Sequence, residues 1–141
     1  PIREIAAGEG AAFGRLVAAA FDLGAAAADW LARLPGAPGW RVFGAFEGDR
    51  LAGTGALFRA GDEAWTDWGA TDPGFRGRGV QRALLAHRVR LALETGAATL
   101  RTCTGDAAPG DPQHSYANIL RCGFREGRLR PNHAPPQRPV A

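Results

Sequence analysis

The chain has no lysine: all 17 of its basic residues are arginine, against 14 acidic residues, for a net charge of +3. With alanine, glycine and proline running high, this bias reads as GC-rich coding, not as a nucleic-acid surface. The arginines are scattered rather than gathered on one helix face. They also lack the interleaved aromatics on which single-stranded nucleic acids stack, so no nucleic-acid partner is expected. No apolar run approaches the ~18 residues that cross a bilayer. No basic-then-apolar leader opens the chain either, and a soluble cytoplasmic protein with no membrane partner is the expectation. Cysteine is scarce: Cys103 and Cys122 stand alone, without metal-ligand spacing, so two reduced thiols and no bound metal are expected. The chain starts at Pro1 rather than at methionine, which fits a processed start or a piece of something longer.

What is present is a globular composition. Hydrophobic residues make up 45% and charged residues 22% of 141 positions, enough for one domain with a useful core. There is no internal repeat and no second-domain boundary. A single domain is read over residues 1–130, and the proline-rich segment 131–141 is read as a tail or an extended final strand.

The order of elements follows from periodicity. Ile2 to Ile5 alternates and reads as an edge strand. Glu9 to Phe21 places Phe13, Leu16, Val17, Ala20 and Phe21 at helical spacing, and Ala25 to Leu34 repeats the pattern before Pro35 to Gly39 stops it. Trp40 to Glu47 and Leu51 to Phe58 alternate about a turn at Gly48-Asp49, and Glu63 to Thr71 adds a third antiparallel strand after Ala60-Gly61-Asp62. Val80 to Thr95 is a long helix with two apolar arcs, one through Val80, Leu84, His87 and Leu91 and one through Leu85, Val89 and Ala92. A strand over Thr99 to Thr104, a polar loop over Gly105 to Pro112, a helix over Gln113 to Arg121 and a last strand over Phe124 to Leu129 complete the expectation.

The segment with the most chemistry joins the third meander strand to the long helix: Thr71-Asp72-Pro73-Gly74-Phe75-Arg76-Gly77-Arg78-Gly79-Val80-Gln81-Arg82. A glycine-rich loop that feeds a helix N-terminus is an anion-binding device. Unpaired N–H groups point outward there, the helix dipole adds partial positive charge, and glycine admits close backbone approach. Arg76, Arg78 and Arg82 add full charges. A cradle for a phosphorylated cofactor is the reading.

Two blocks resemble the GNAT superfamily of N-acetyltransferases. Arg76-Gly77-Arg78-Gly79-Val80-Gln81 is similar to its acyl-CoA loop. Ser115-Tyr116-Ala117-Asn118-Ile119-Leu120-Arg121-Cys122-Gly123-Phe124 is similar to its last helix, which commonly ends in Gly-Phe. The element order agrees over nearly the whole chain. The resemblance implies an α+β fold, a mostly antiparallel mixed sheet flanked by helices with a splay between the fourth and fifth strands. It implies acetyl-CoA as donor and an amine of a small molecule or peptide as acceptor. The pyrophosphate would lie on Arg76, Gly77, Arg78, Gly79, Val80, Gln81 and Arg82. The pantetheine arm would lie between Glu63–Thr71 and Thr99–Thr104, steadied by Asn118. A homodimer is also open.

Two departures bear on the chemistry. Gln81 replaces the loop's usual final glycine or alanine, and the general-acid tyrosine of the family falls at Ile119. The alternative is therefore an acyl-CoA-binding module without turnover. For catalysis, the oxyanion can be held by backbone N–H groups of Gly69, Ala70 and Thr71. Asp67 and Glu63, four residues apart on one strand face, are the candidate bases, and Tyr116, one helical turn before Ile119, is the candidate acid. Strict alternation puts Trp65 on the face of Glu63 and Asp67 and puts Trp68 on the opposite one. Trp30, Trp40, Asp22 and Asp29 come from the region that, by the resemblance, lines the acceptor pocket.

Overall fold

A computed structural model describes residues 1–105 and 114–131. Its strands are β1 (Ile2–Glu4), β2 (Trp40–Glu47), β3 (Arg50–Ala60), β4 (Glu63–Thr71) and β5 (Thr99–Thr102), lying in sequence order in one sheet. The first three pairings are antiparallel and β4–β5 is parallel. Among the described residues the helices are α1 (Gly10–Ala20), α2 (Ala25–Leu31), α3 (Val80–Glu94) and α4 (His114–Arg121). The expected mixed sheet flanked by helices is what forms.

Alternation along the strands divides the core into two layers. Val42, Ala56 and Ala70 turn to one side, where Phe13 and Val17 of α1 and Leu31 of α2 are fully buried against them. Phe43, Leu57 and Ala64 turn to the other, against Leu84 and Ala92 of α3. Each large apolar side chain removed from water in this way contributes about 1.5–3 kcal/mol. The sheet is thus sandwiched, with α1 and α2 on one face and α3 on the other.

Several boundaries differ from those expected. A 3-10 turn at Ala7–Glu9 precedes α1, and Glu9 accepts a hydrogen bond from the Ala6 N–H at 3.0 Å, which fixes the helix entry. α2 stops at Leu31, although Leu34 is still buried by the turn that follows. β5 ends at Thr102 instead of Thr104. Residues 124–131 form no strand: Leu129 is 80% exposed, and a segment with charged residues at Arg125, Glu126, Arg128 and Arg130 offers no apolar face to bury. Most of the Gly105 to Pro112 loop and residues 132–141 lie outside the described residues.

The sheet has one irregularity that matters for function. Thr54 pairs with Ala70 and Ala56 with Asp67, so β4 carries one more residue than β3 across this interval, at Trp68-Gly69 opposite Gly55. Trp68 has φ +50°, in the left-handed region that a bulky residue rarely adopts. The bulge overturns strict alternation. Trp68 does not face away from Asp67; its ring packs edge-on against Phe21 at the end of α1 and Trp30 of α2, each at 6.0 Å between centroids.

Candidate active site

The parallel pairing of β4 and β5 covers only Glu63–Thr66 against Thr99–Thr102. Beyond it, Asp67 to Thr71 keeps β3 on one side but has no strand on the other among the described residues, and that backbone edge is open just where the bulge lies. The hydroxyls of Thr66 and Thr71 are buried without a hydrogen-bond partner among the described residues, and such groups are costly unless something else engages them.

β4 runs directly into the glycine-arginine loop. Asp72 accepts a hydrogen bond from the Gly74 N–H at 2.8 Å and holds a 3-10 turn over Pro73–Phe75. Gly77 (φ +73°) and Gly79 (φ +77°) take left-handed conformations, and Gly79 is the residue that caps α3. No side chain among the described residues satisfies the first N–H groups of α3, so they are available to an anion. Arg76, Arg78 and Arg82 are all exposed. Arg78 pairs with Glu47 at 2.6 Å and stacks over Phe75 at 5.1 Å. A groove of about 710 Å³ continues along the outer side of α3, with Arg82, Arg90 and Arg121 on its walls, and reaches Cys122 on the far side.

Gln81 does not project into the loop. Its amide nitrogen donates to Ser115 Oγ at 2.7 Å, and its oxygen accepts from Asn118 Nδ2 at 2.8 Å. The residue that departs from the usual small side chain therefore fastens α4 to α3, and it holds Asn118 at the same time.

The three candidate proton-transfer groups are dispersed. Glu63 is exposed at the paired end of β4, bridged to Arg101 of β5 at 2.9 Å. Asp67 lies at the open end and accepts from the Trp68 N–H at 2.8 Å, so its carboxylate helps to hold the bulge. Tyr116 donates its hydroxyl to Glu126, and that bond, ahead of burial and the nearby charge, raises its pKa above the ordinary tyrosine value. Gly69, Ala70 and Thr71 lie at the opening itself.

One residue at this site went unnoticed in the sequence. Arg88 of α3 is only 3% exposed. Its Nε donates to the Leu84 carbonyl at 3.1 Å, and its Nη1 donates to the carbonyls of Ala56 (3.1 Å) and Asp67 (3.0 Å), the β3–β4 pair that borders the bulge. Burial pushes its pKa down to about 10, against the opposing pull of Asp67, and it stays protonated at neutral pH. A signal did exist: Leu84, Arg88 and Ala92 recur at helical spacing, so a charge stands where an apolar residue belongs.

The profile of the acetyltransferase (GNAT) family matches residues 15–124. Solved structures with the same fold include the ribosomal-protein-S18-alanine N-acetyltransferase from Escherichia coli, with a TM-score of 0.79 and 21% identity over 96% of this chain and 83% of that one. Another is the aminoglycoside acetyltransferase meta-AAC0020 from an uncultured soil metagenomic sample, in complex with sisomicin (TM-score 0.75, 16% identity, 95% of each chain). A third is AAC(6')-Iy in complex with the bisubstrate analog CoA-S-monomethyl-acetylneamine (TM-score 0.72, 16% identity, 96% of this chain and 97% of that one). No curated protein matches the chain. The profile match covers well over half of the sequence, from the middle of α1 past the end of α4, and the chain belongs to the GNAT acetyltransferase family.

Proposed function

We propose that the protein is an acetyl-CoA-dependent N-acetyltransferase that moves an acetyl group to an amine of a small molecule or peptide by direct attack on the thioester. The observation that carries this reading is the open edge of β4 from Asp67 to Thr71, which leads without interruption into an arginine-lined helix N-terminus. An extended, amide-bearing chain ending in a pyrophosphate fits that sequence of groups: strand-like pairing first, then an anion cradle. The unpartnered hydroxyls of Thr66 and Thr71 suit the same occupant. Two of the structural neighbours bear names that point to small-molecule acceptors and one to a protein alanine, which supports an amine acceptor without choosing between them.

When bound, acetyl-CoA supplies an activated acyl group and a thiolate leaving group. The chain's part is to hold and orient. The backbone N–H groups of Arg78, Gly79, Val80 and Gln81, with Arg76, Arg78 and Arg82, bind the pyrophosphate. Donors at Gly69, Ala70 and Thr71 receive the developing oxyanion, a contribution of about 10²–10³-fold per donor in comparable sites. Asp67 takes the proton from the attacking amine. The aromatic group Phe21, Trp30 and Trp68, beside Asp67 and near Asp22 and Asp29, receives the apolar and cationic parts of the acceptor.

Release of free thiol from acetyl-CoA across a panel of small amines and peptide N-termini tests this reading, with expected rates well above hydrolysis for at least one class. Saturable binding without release above hydrolysis would favour a non-catalytic acyl-CoA-binding module. That alternative is motivated by Ile119 and by the engagement of Tyr116 with Glu126.

A further inference from the structure

Among the described residues Arg88 is a buried cation without an ion pair. The three hydrogen bonds it makes among the described residues go to backbone carbonyls, and the carboxylate of Asp67 is turned to the Trp68 N–H instead. Burying a charge in this way is expensive, and removing countercharges makes it more so. The sheet makes room for it: a Cβ on Gly55 would stand 2.4 Å from the guanidinium carbon, so glycine there leaves the space that the guanidinium fills. None of the described residues accepts a hydrogen bond from Nη2, which lies 3.7 Å from where a Cβ on Gly69 would be. The unused N–H arm therefore sits under the stretch of β4 from which β5 has parted.

Its position along the other axis is also fixed. Asp67 of β4 and Cys122, just past the end of α4, both act electrostatically on Arg88, and Cys122 feels Arg82 as well. The guanidinium thus sits at the edge of the bulge and within electrostatic reach of the end of α4, the helix that carries Ile119, where no hydroxyl can donate a proton.

We propose that Arg88 supplies the positive charge that stabilises the departing CoA thiolate, in place of the acid that α4 lacks at Ile119. This rests on the acetyl-transfer reading above. The acceptor nitrogen uses its lone pair to form the N–C bond at the thioester carbon, and the carbonyl π pair moves to oxygen. That pair then returns, the C–S bond breaks, and its electrons leave on sulfur as a thiolate. The proton lost by nitrogen goes to Asp67. Arg88 keeps all of its protons and acts through charge alone, and the thiolate is protonated from solvent on release.

The test needs no acceptor. In a Cys103→Ala, Cys122→Ala background, CoA carries the only thiol in its complex with the protein. The bound thiol is titrated through the ultraviolet band of its thiolate, while calorimetry reports CoA affinity. With Arg88 in place, the bound thiol should titrate about 1–3 units below free CoA, as expected beside a single opposite charge. Arg88→Met should abolish that shift, with CoA affinity little changed at pH below the shifted value, where the thiol stays protonated free and bound, and Arg88→Lys should retain most of it. A bound thiol that titrates like free CoA overturns the proposal whatever the variants do, and so does a shift that survives Arg88→Met. If Arg88→Met fails to fold, the titration of the protein with Arg88 intact and of Arg88→Lys decides the matter. Absence of saturable CoA binding overturns the acetyl-transfer reading itself, and this inference with it.

Discussion

The two faces of the sheet are built from different chemistry. The α3 side is cationic and glycine-rich: Arg76, Arg78 and Arg82 around an uncapped helix start, and Arg88 beneath the bulge. The α1 and α2 side is aromatic and acidic: Phe21, Trp30 and Trp68 meet edge to face, with Asp22, Asp29 and Asp67 nearby. A transferase that brings an anionic donor to a cationic acceptor needs this division, and the bulge of β4 is where the two faces communicate. Trp68 reaches one side and the carbonyl of Asp67 is gripped from the other. On the proposed function, donor binding and acceptor binding should be separable by mutation, apart from residues at the bulge.

Gly79→Glu should have the largest effect. It sets a carboxylate at the N-terminus of α3 and places a side chain at φ +77°, a conformation that costs about 1–2 kcal/mol without glycine. Acetyl-CoA binding is expected to vanish, read by calorimetry. Asp67→Asn comes next. It keeps the shape of the side chain and its hydrogen bond to Trp68, so turnover should fall by about 10²-fold or more, as for loss of a general base, with acetyl-CoA affinity retained. An unaltered pH–rate profile would remove Asp67 from that role. Trp30→Ala deletes a 57% exposed ring on the acceptor side. Loss of an aromatic pair worth about 0.5–1.5 kcal/mol should raise the acceptor KM up to about tenfold, again without touching donor affinity. A matching loss of CoA affinity would break the division of faces.

The smallest expected effect is electrostatic. His87 of α3 packs against Phe43 at 4.9 Å between ring centroids, and burial, with help from Arg90, Arg41 and Arg88, lowers its pKa below the ordinary histidine value. The unfolded chain then takes up the proton more readily than the folded one. Stability attributable to His87 is complete above the ordinary histidine pKa and declines as pH falls through the lowered one. His87→Gln should flatten that decline in denaturant titrations run across this range.

What the sequence disclosed was local. The hairpin at Gly48-Asp49, the stop at Gly96 and the capping glycines of the loop each depend on a few neighbouring residues, and each lies where turn chemistry puts it. The open edge of β4 was anticipated only through family resemblance. The side chosen by Trp68 was misplaced because a single inserted residue in β4 resets the two-residue period, and nothing in Asp67-Trp68-Gly69 alone announces an insertion. Arg88 was overlooked for a related reason. Gly55, 33 positions earlier, leaves the space that its guanidinium fills, and that coincidence exists in three dimensions alone. The expected strand over Phe124 to Leu129 did not form because Arg125, Glu126 and Arg128 leave the segment no apolar face to bury.

The central claim is that the open β4 edge and the helix start behind it form a site for acetyl-CoA. Calorimetric titration of acetyl-CoA into the protein, alongside Gly79→Glu, tests it most directly. Saturable one-site binding by the protein and none by the variant is the predicted result. No saturable binding at micromolar protein, or equal binding by the variant, would contradict it.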